Sequence, residues 1–167
     1  MNKNDLRYIK TEKLINDTYM ALLREKKGKL SVTALCTAAM INKTTFYKHY
    51  ESIEALHKNI CETFVEKTVL NCPGIEKAHC DPEEGVHELV ATLLSEEATL
   101  SLLFHGNLAY LINLIEDVLL KFYLQNVNSP EKEAAICFAI GGAARVLIHS
   151  QSEERIAMII EFIKKVL

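Results

Sequence analysis

Residues Leu30 to Leu56 read LSVTALCTAAMINKTTFYKHYESIEAL. Ser31 carries a side-chain oxygen where a helix N-cap needs one, and Val32, Leu35, Cys36 and Ala39 follow at i, i+3, i+4 and i+7. That spacing predicts a helix of two to three turns. Met40-Ile41 predicts a tight turn with Ile41 buried beneath it, and Asn42 is the next N-cap. The helix that follows, Lys43 to Tyr50, is too short to persist alone, so Phe46 and Tyr50 at i, i+4 are its expected anchors. Ser52 then caps a longer helix from Ile53 to about Val69, with Ile53, Leu56, Ile60 and Phe64 inward and Glu54 in its first turn.

Two short helices, a tight turn and a polar second helix make a helix-turn-helix. With Phe46 and Tyr50 inward, Lys43, Thr44, Tyr47 and Lys48 point outward, flanked by Thr45 and His49. Lysine donates to guanine O6 and N7, and threonine offers base edges a hydroxyl and thymine a methyl contact. Tyrosine, threonine and histidine donate to phosphates and fix register. The plain alternative is a helical hairpin with a solvated face, for which an exposed Tyr, two Thr and a His are poor choices beside Glu, Lys and Ala.

The rest of the chain fits this reading. Its 167 residues are 49% hydrophobic and 25% charged, with three prolines, six glycines and no β-branched alternation, which predicts an all-α globular protein. The net charge of −3 is unevenly spread: residues 1–58 hold eleven Lys and Arg against six Asp and Glu, and residues 59–167 hold eight against sixteen. A basic segment on an acidic remainder fits a polyanion at one end only. Lys3, Arg7 and Lys10 crowd the first turns of a helix expected from Asp5 to about Gly28, after an arm Met1–Asn4, with Lys26 and Lys27 at its end. Cations there oppose the helix dipole and favour an external anion. Ile15, Thr18, Tyr19, Leu22 and Leu23 form its apolar face. Five cysteines without disulfide spacing, no signal-peptide pattern, and an apolar run (Ala134–Ile148) short of the ~18 residues of a membrane span predict a cytoplasmic protein with no membrane association.

The segment Lys13 to Leu56 resembles the DNA-binding domain of the TetR family of bacterial transcriptional repressors. The resemblance rests on Thr45-Phe46-Tyr47-Lys48-His49-Tyr50 followed by Glu51-Ser52-Ile53-Glu54-Ala55-Leu56, where the aromatic pair, the His-aromatic pair and the Ser-x-Glu-x-Leu helix start occur in register. It implies that Lys43, Thr44 and Lys48 reach base edges, and that Thr45, Tyr47, His49, Ser31 and Thr33 contact phosphates. Two departures stand out. Met40 occupies a turn position the family usually gives to a small residue, often Gly, which predicts a shifted turn or an inward Met. Ile53 stands where the family often has Lys, which removes a phosphate contact.

Cys72-Pro73-Gly74 and Pro82 break the helical pattern, so residues 71–82 read as a connection between a DNA-binding domain, residues 1–70, and a regulatory and dimerisation domain, residues 71–167. Cys72, His79 and Cys80 match no zinc spacing, and no metal or cofactor is expected. Helices are expected over 83–95 (Val86, Leu89, Val90, Leu93), 100–104, 107–125, 131–149 (with Pro130 at the first turn) and after Ser152. Gly141-Gly142 inside one of them suggests close approach of a second backbone, and Ile156, Ile159, Ile160, Ile163 and Leu167 give the last helix a wide apolar face. These last two helices are the candidate homodimer surface, unless both are buried within one chain. The resemblance favours the dimer, and a two-fold dimer reads a palindromic operator in double-stranded DNA. The resemblance also implies a small-molecule effector in the second domain, for which His87, His105, Asn107, Tyr110, Asn113 and Tyr123 are candidates; the alternative is control by a protein partner with no small ligand. The chain carries no paired nucleophile and base, Gly-rich phosphate loop or HExxH, so an enzyme is not expected.

Overall fold

The computed structural model describes residues 6–25, 30–78, 80–125, 127–149 and 152–166. The expected arm Met1–Asn4, the helix end at Lys26, Lys27 and Gly28, His79 and Leu167 lie outside the described residues. Within them the protein is all-α, with no strand. The helices are α1 (Leu6–Arg24), α2 (Val32–Ala38), α3 (Lys43–Tyr47), α4 (Ile53–Leu70), α5 (Gly74–Lys77), α6 (Pro82–Ser95), α7 (Glu97–Phe104), α8 (Leu108–Leu124), α9 (Pro130–His149) and α10 (Glu153–Val166). No single one of these helices is long and apolar enough to cross a membrane.

The chain divides into two compact units between Cys61 and Glu62, inside α4. The first is built on α1, α2, α3 and the start of α4. Ile15, Tyr19, Leu35, Phe46, Leu56 and Cys61 fill its core. The expected stripe of α4 is rotated: Leu56, Ile60, Cys61, Val65 and Val69 are buried, whereas Ile53 and Phe64 are half-exposed. Local chemistry sets the helix starts. Ser31 Oγ accepts from Ala34 N–H (3.2 Å), Asn42 Oδ1 from Thr45 N–H (2.7 Å) and Ser52 Oγ from Ala55 N–H (3.1 Å), which satisfies amides that have no partner inside their own helices. Side-chain bonds tie α1 to α4 and to the segment after α3. Tyr19 Oη and His57 Nδ1 share one of 2.9 Å, and Tyr50 Oη lies 3.0 Å from Asn16 Oδ1.

In the second unit α8 packs on α9, α9 on α10, and α10 on α6, while α7 joins α6 to α8. Leu103, Phe104, Ile112, Val118, Ile136, Ala139, Ala144, Ile159 and Ile160 are its core. The ion pair Lys164–Glu83 (2.6 Å) links α10 to α6 on the surface. Residues 71–82, read from the sequence as a bare connection, hold α5, which packs on α6. The contact is close because both helices present glycine. A Cβ on Gly85 would lie 2.5 Å from Ala78 Cβ and 2.9 Å from the Gly74 carbonyl oxygen, and one on Gly74 would lie 2.7 Å from the Gly85 carbonyl oxygen. Tyr123 Oη donates to the Ile75 carbonyl (2.6 Å) and pins α8 to α5.

The Ile face of α10 is not a free surface: Ile159 and Ile160 are buried within the chain, and Ile156 and Ile163 are half-buried. An amphipathic helix hides its richest apolar stripe first, and α9 and α6 already offer partners. What remains outside is a second, narrower set. Phe138 (73% exposed) and Val146 lie on α9, and Met158 and Phe162 on α10. Gly142 lies between Phe138 and Val146 at i+4 with open space around it, whereas a Cβ on Gly141 would meet Glu116 of α8.

Gly85→Ala should destabilise the protein by about 1–3 kcal/mol through overpacking. Thermal unfolding checks this; a melting temperature equal to that of the unsubstituted chain would mean that α5 moves off α6 without cost.

Candidate nucleic-acid interface

The turn between α2 and α3 is set by hydrogen bonds rather than by residue size. Ile41 N–H donates to Cys36 O (3.0 Å) and Met40 N–H to Thr37 O (3.2 Å), the paired bonds of a Schellman motif whose C′ residue is Met40. The motif requires a left-handed backbone there, and Met40 adopts φ +52°. Met40 does not pack inward: it is 92% exposed. Ile41 is half-buried rather than buried beneath the turn.

Five residues of helix cannot stabilise themselves. Phe46, fully buried, holds α3 from below, and Tyr50, buried one turn beyond its end, is gripped by α1 and α4. Besides Asn16, Tyr50 Oη lies 3.4 Å from Glu12 Oε1 and 3.3 Å from Asn59 Oδ1. Burial, reinforced by the Glu12 charge, pushes the Tyr50 phenol up to about 12, so it remains a donor.

The opposite side of α3 is open. Lys43, Thr44, Tyr47 and Lys48 are exposed, and Ser31 and Thr33 are exposed at the start of α2. The Tyr47 ring stands edge-on to Phe46 (5.5 Å), which stiffens it while 55% of the residue stays accessible. Ser31 Oγ accepts from the Ala34 amide, and among the described residues nothing takes its own hydroxyl proton, which can serve an outside acceptor. Thr45 differs: its hydroxyl donates to Asn42 Oδ1 (2.8 Å), so its one proton serves the N-cap of α3. His49 is half-buried, with its ring stacked on Tyr8 of α1 (4.0 Å between centroids, 28° between planes). Its Nδ1 is buried without a hydrogen-bond partner. Burial holds the imidazole pKa below its usual value, against a smaller opposing pull from Glu12. Sequence reasoning missed Tyr8, which is buried and stacked on His49. The one available signal was an aromatic in the first turns of α1, ahead of the His-aromatic pair.

The six residues considered for a small ligand are dispersed. His87 and Asn113 are exposed on α6 and α8. His105 is the exposed left-handed C-cap of α7 (φ +46°), and Asn107 Oδ1 caps α8 by accepting from Tyr110 N–H (3.2 Å). Tyr110 packs against Phe104 with ring centroids 5.6 Å apart. Only Tyr123 reaches the small apolar cavity of about 80 Å³ that Gly74, Ile75, Gly85, Leu119 and Ile140 help to line. Cys72 is buried and accepts from Thr92 Oγ1 (3.4 Å), whereas Cys80 is exposed. Among the described residues no group of three His, Cys, Asp or Glu side chains is arranged to hold a metal ion. No protein-family model, no curated protein and no solved structure matches the chain.

Met40→Gly should raise stability by about 0.5–1 kcal/mol. A left-handed non-glycine residue costs about 1–2 kcal/mol, and the greater freedom of glycine in the unfolded chain offsets part of the gain. Denaturant titration checks it, and a loss of stability would show that the exposed thioether contributes packing.

Proposed function

We propose that this chain is a sequence-specific, DNA-binding transcriptional regulator of the TetR type, acting as a homodimeric repressor on a palindromic operator. One observation carries the reading. A helix of five residues is held from behind by Phe46 and Tyr50, and its open side consists of Lys43, Thr44, Tyr47 and Lys48. Such a helix fits a major groove, Lys43, Thr44 and Lys48 have the chemistry of base edges, and Tyr47, Ser31 and Thr33 that of phosphates. Thr45 supports the same surface indirectly, through Asn42. The low acid content before Cys61 suits the same partner.

A single short helix reads few base pairs, so a two-fold dimer is part of the proposal. The surface offered for it is Phe138, Gly142 and Val146 on α9 with Met158 and Phe162 on α10, in place of the buried isoleucines. As to control, the enclosed apolar cavity of about 80 Å³ is well below the roughly 300–1,000 Å³ of small-molecule sites, and the larger depression of about 520 Å³ is an open surface hollow lined by Asp81, Glu83, Glu84, His87 and Glu88 rather than a closed apolar pocket. These two observations favour the second reading, in which a protein partner rather than an apolar small effector regulates the repressor.

Selection of bound sequences from random duplexes tests the core of the proposal, and recovery of no enriched, two-fold motif would refute it. On the selected site, Lys48→Ala should weaken binding by about 1–3 kcal/mol for a base contact without altering the melting temperature; unchanged affinity would remove this face from the interface. Phe138→Glu should convert a sedimenting dimer to a monomer and lower operator affinity by about tenfold or more, because the two half-sites are then bound independently. A dimer that persists would place the interface elsewhere.

A further inference from the structure

The reading of α3 as a DNA-contacting helix leaves one feature unexplained: a histidine at its end whose inner nitrogen is sealed off. His49 Nδ1 is buried without a hydrogen-bond partner among the described residues, whereas Nε2 is not a buried, unpartnered atom. One wall of that enclosure is the phenol ring of Tyr8, stacked at 4.0 Å and only 28° from parallel. In that geometry Tyr8 offers the Nδ1 edge no hydrogen bond; it covers one face of the imidazole and narrows the approach of water to it.

A neutral imidazole carries its proton on one nitrogen or the other. A proton on the sealed nitrogen leaves an orphan buried N–H, a group that native structures rarely tolerate, whereas an unused acceptor lone pair is borne more easily. The doubly protonated form is worse placed still, since it buries the same orphan N–H and adds a charge. We propose that Tyr8 is a positioning residue for DNA recognition: its stack on His49 fixes the imidazole as the neutral tautomer that presents Nε2–H outward, as a donor to a phosphate. The inference rests on the DNA-binding reading for the identity of the acceptor, but the tautomer itself does not depend on it.

The titratable groups facing His49 are Tyr8 and Glu12 from α1, and Tyr50 from its own segment, 6.4 Å between ring centroids. Burial and the Glu12 carboxylate act in opposite directions on the imidazole, and burial is the larger, so it is held below its usual pKa and the neutral form is favoured. Tyr8, with its own phenol pushed up by burial and by Glu12, stays uncharged throughout. The unfolded chain takes up the His49 proton near pH 6.5 and the folded chain only at lower pH, so the stability that His49 contributes is fully present above that value and declines as pH falls through it.

Two measurements on the full-length chain test the proposal. The first needs no DNA: ring nitrogen shifts of His49 by NMR should report the Nε2–H tautomer and a midpoint below 6.5. In Tyr8→Ala the two tautomers should mix and the midpoint should return towards 6.5, and Tyr8→Phe should restore both properties. An Nδ1–H tautomer in the unsubstituted chain, or a midpoint that Tyr8→Ala leaves unmoved, overturns the proposal. The unsubstituted chain alone suffices for the tautomer if Tyr8→Ala does not fold.

The second uses a labelled duplex of random sequence, since phosphate contacts are independent of sequence. Tyr8→Ala should bind it about threefold to tenfold more weakly at pH 7.5 than the unsubstituted chain, less than the full loss of one hydrogen bond to a charged group because the Nε2–H tautomer stays partly populated. Its affinity should then rise as the imidazole gains charge through pH 6.5, a rise absent in the unsubstituted chain and in Tyr8→Phe. Identical pH profiles in all three overturn the positioning role. Absence of duplex binding by every form, with the tautomer as stated, would instead refute the DNA-binding reading and leave the Tyr8–His49 assignment standing.

Discussion

Everything proposed for the first unit depends on how a five-residue helix is kept folded. Such a helix has too few internal hydrogen bonds to offset the ordering of its backbone. The deficit is met from outside, by burial of Phe46 and by the grip on Tyr50. Emptying the Phe46 site would cost about 3–5 kcal/mol, a large share of the stability of a whole domain. Tyr50 adds orientation. Asn16, Glu12 and Asn59 surround its hydroxyl within 3.4 Å, so the end of α3 is referenced to two long helices at once. A rigid back is what allows the front of α3 to consist of side chains that contribute little to folding.

The same logic explains which parts of the architecture could be read from the sequence. Caps are local chemistry, and Ser31, Asn42, Ser52, Pro130 and Ser152 all stand at helix starts as their side chains require. The anchors Phe46 and Tyr50 followed from the i, i+4 spacing and the shortness of the helix. The misses share a different cause. Met40 was judged by its size, but a Schellman pair of hydrogen bonds dictated its backbone and left its side chain in solvent. The isoleucines of α10 were visible as an apolar face, yet periodicity does not say whether the covering surface belongs to the same chain. Residues 71–82 looked like a break because proline and glycine end helices; here the glycines permit the contact between α5 and α6.

The candidate site was legible to a similar depth. Residue type and spacing placed Lys43, Thr44, Tyr47 and Lys48 on the open side of α3, and they are exposed there. Thr45 and His49 depart from that simple picture through contacts with Asn42 and Tyr8, one three residues away and one on another helix. The second kind is invisible to any window along the chain. Of the polar residues expected at a ligand, Asn107 and His105 serve helix ends, Tyr123 meets the small apolar cavity and His87 lines an open acidic hollow.

The α5–α6 contact has an evolutionary consequence. A side chain at Gly85 would meet not only Ala78 Cβ but also Ala78 Cα, at 2.7 Å, and the Gly74 carbonyl oxygen. Those are backbone atoms, so trimming Ala78 to glycine would not make room. Most packing constraints can be relieved by a compensating change at a neighbouring position, which lets the two drift together over generations. This one cannot, and a lineage that loses Gly85 must move a helix to keep its fold. Among related chains, Gly85 should therefore be invariant wherever α5 is kept and free to vary only where α5 is lost, a pattern of joint retention rather than pairwise covariation.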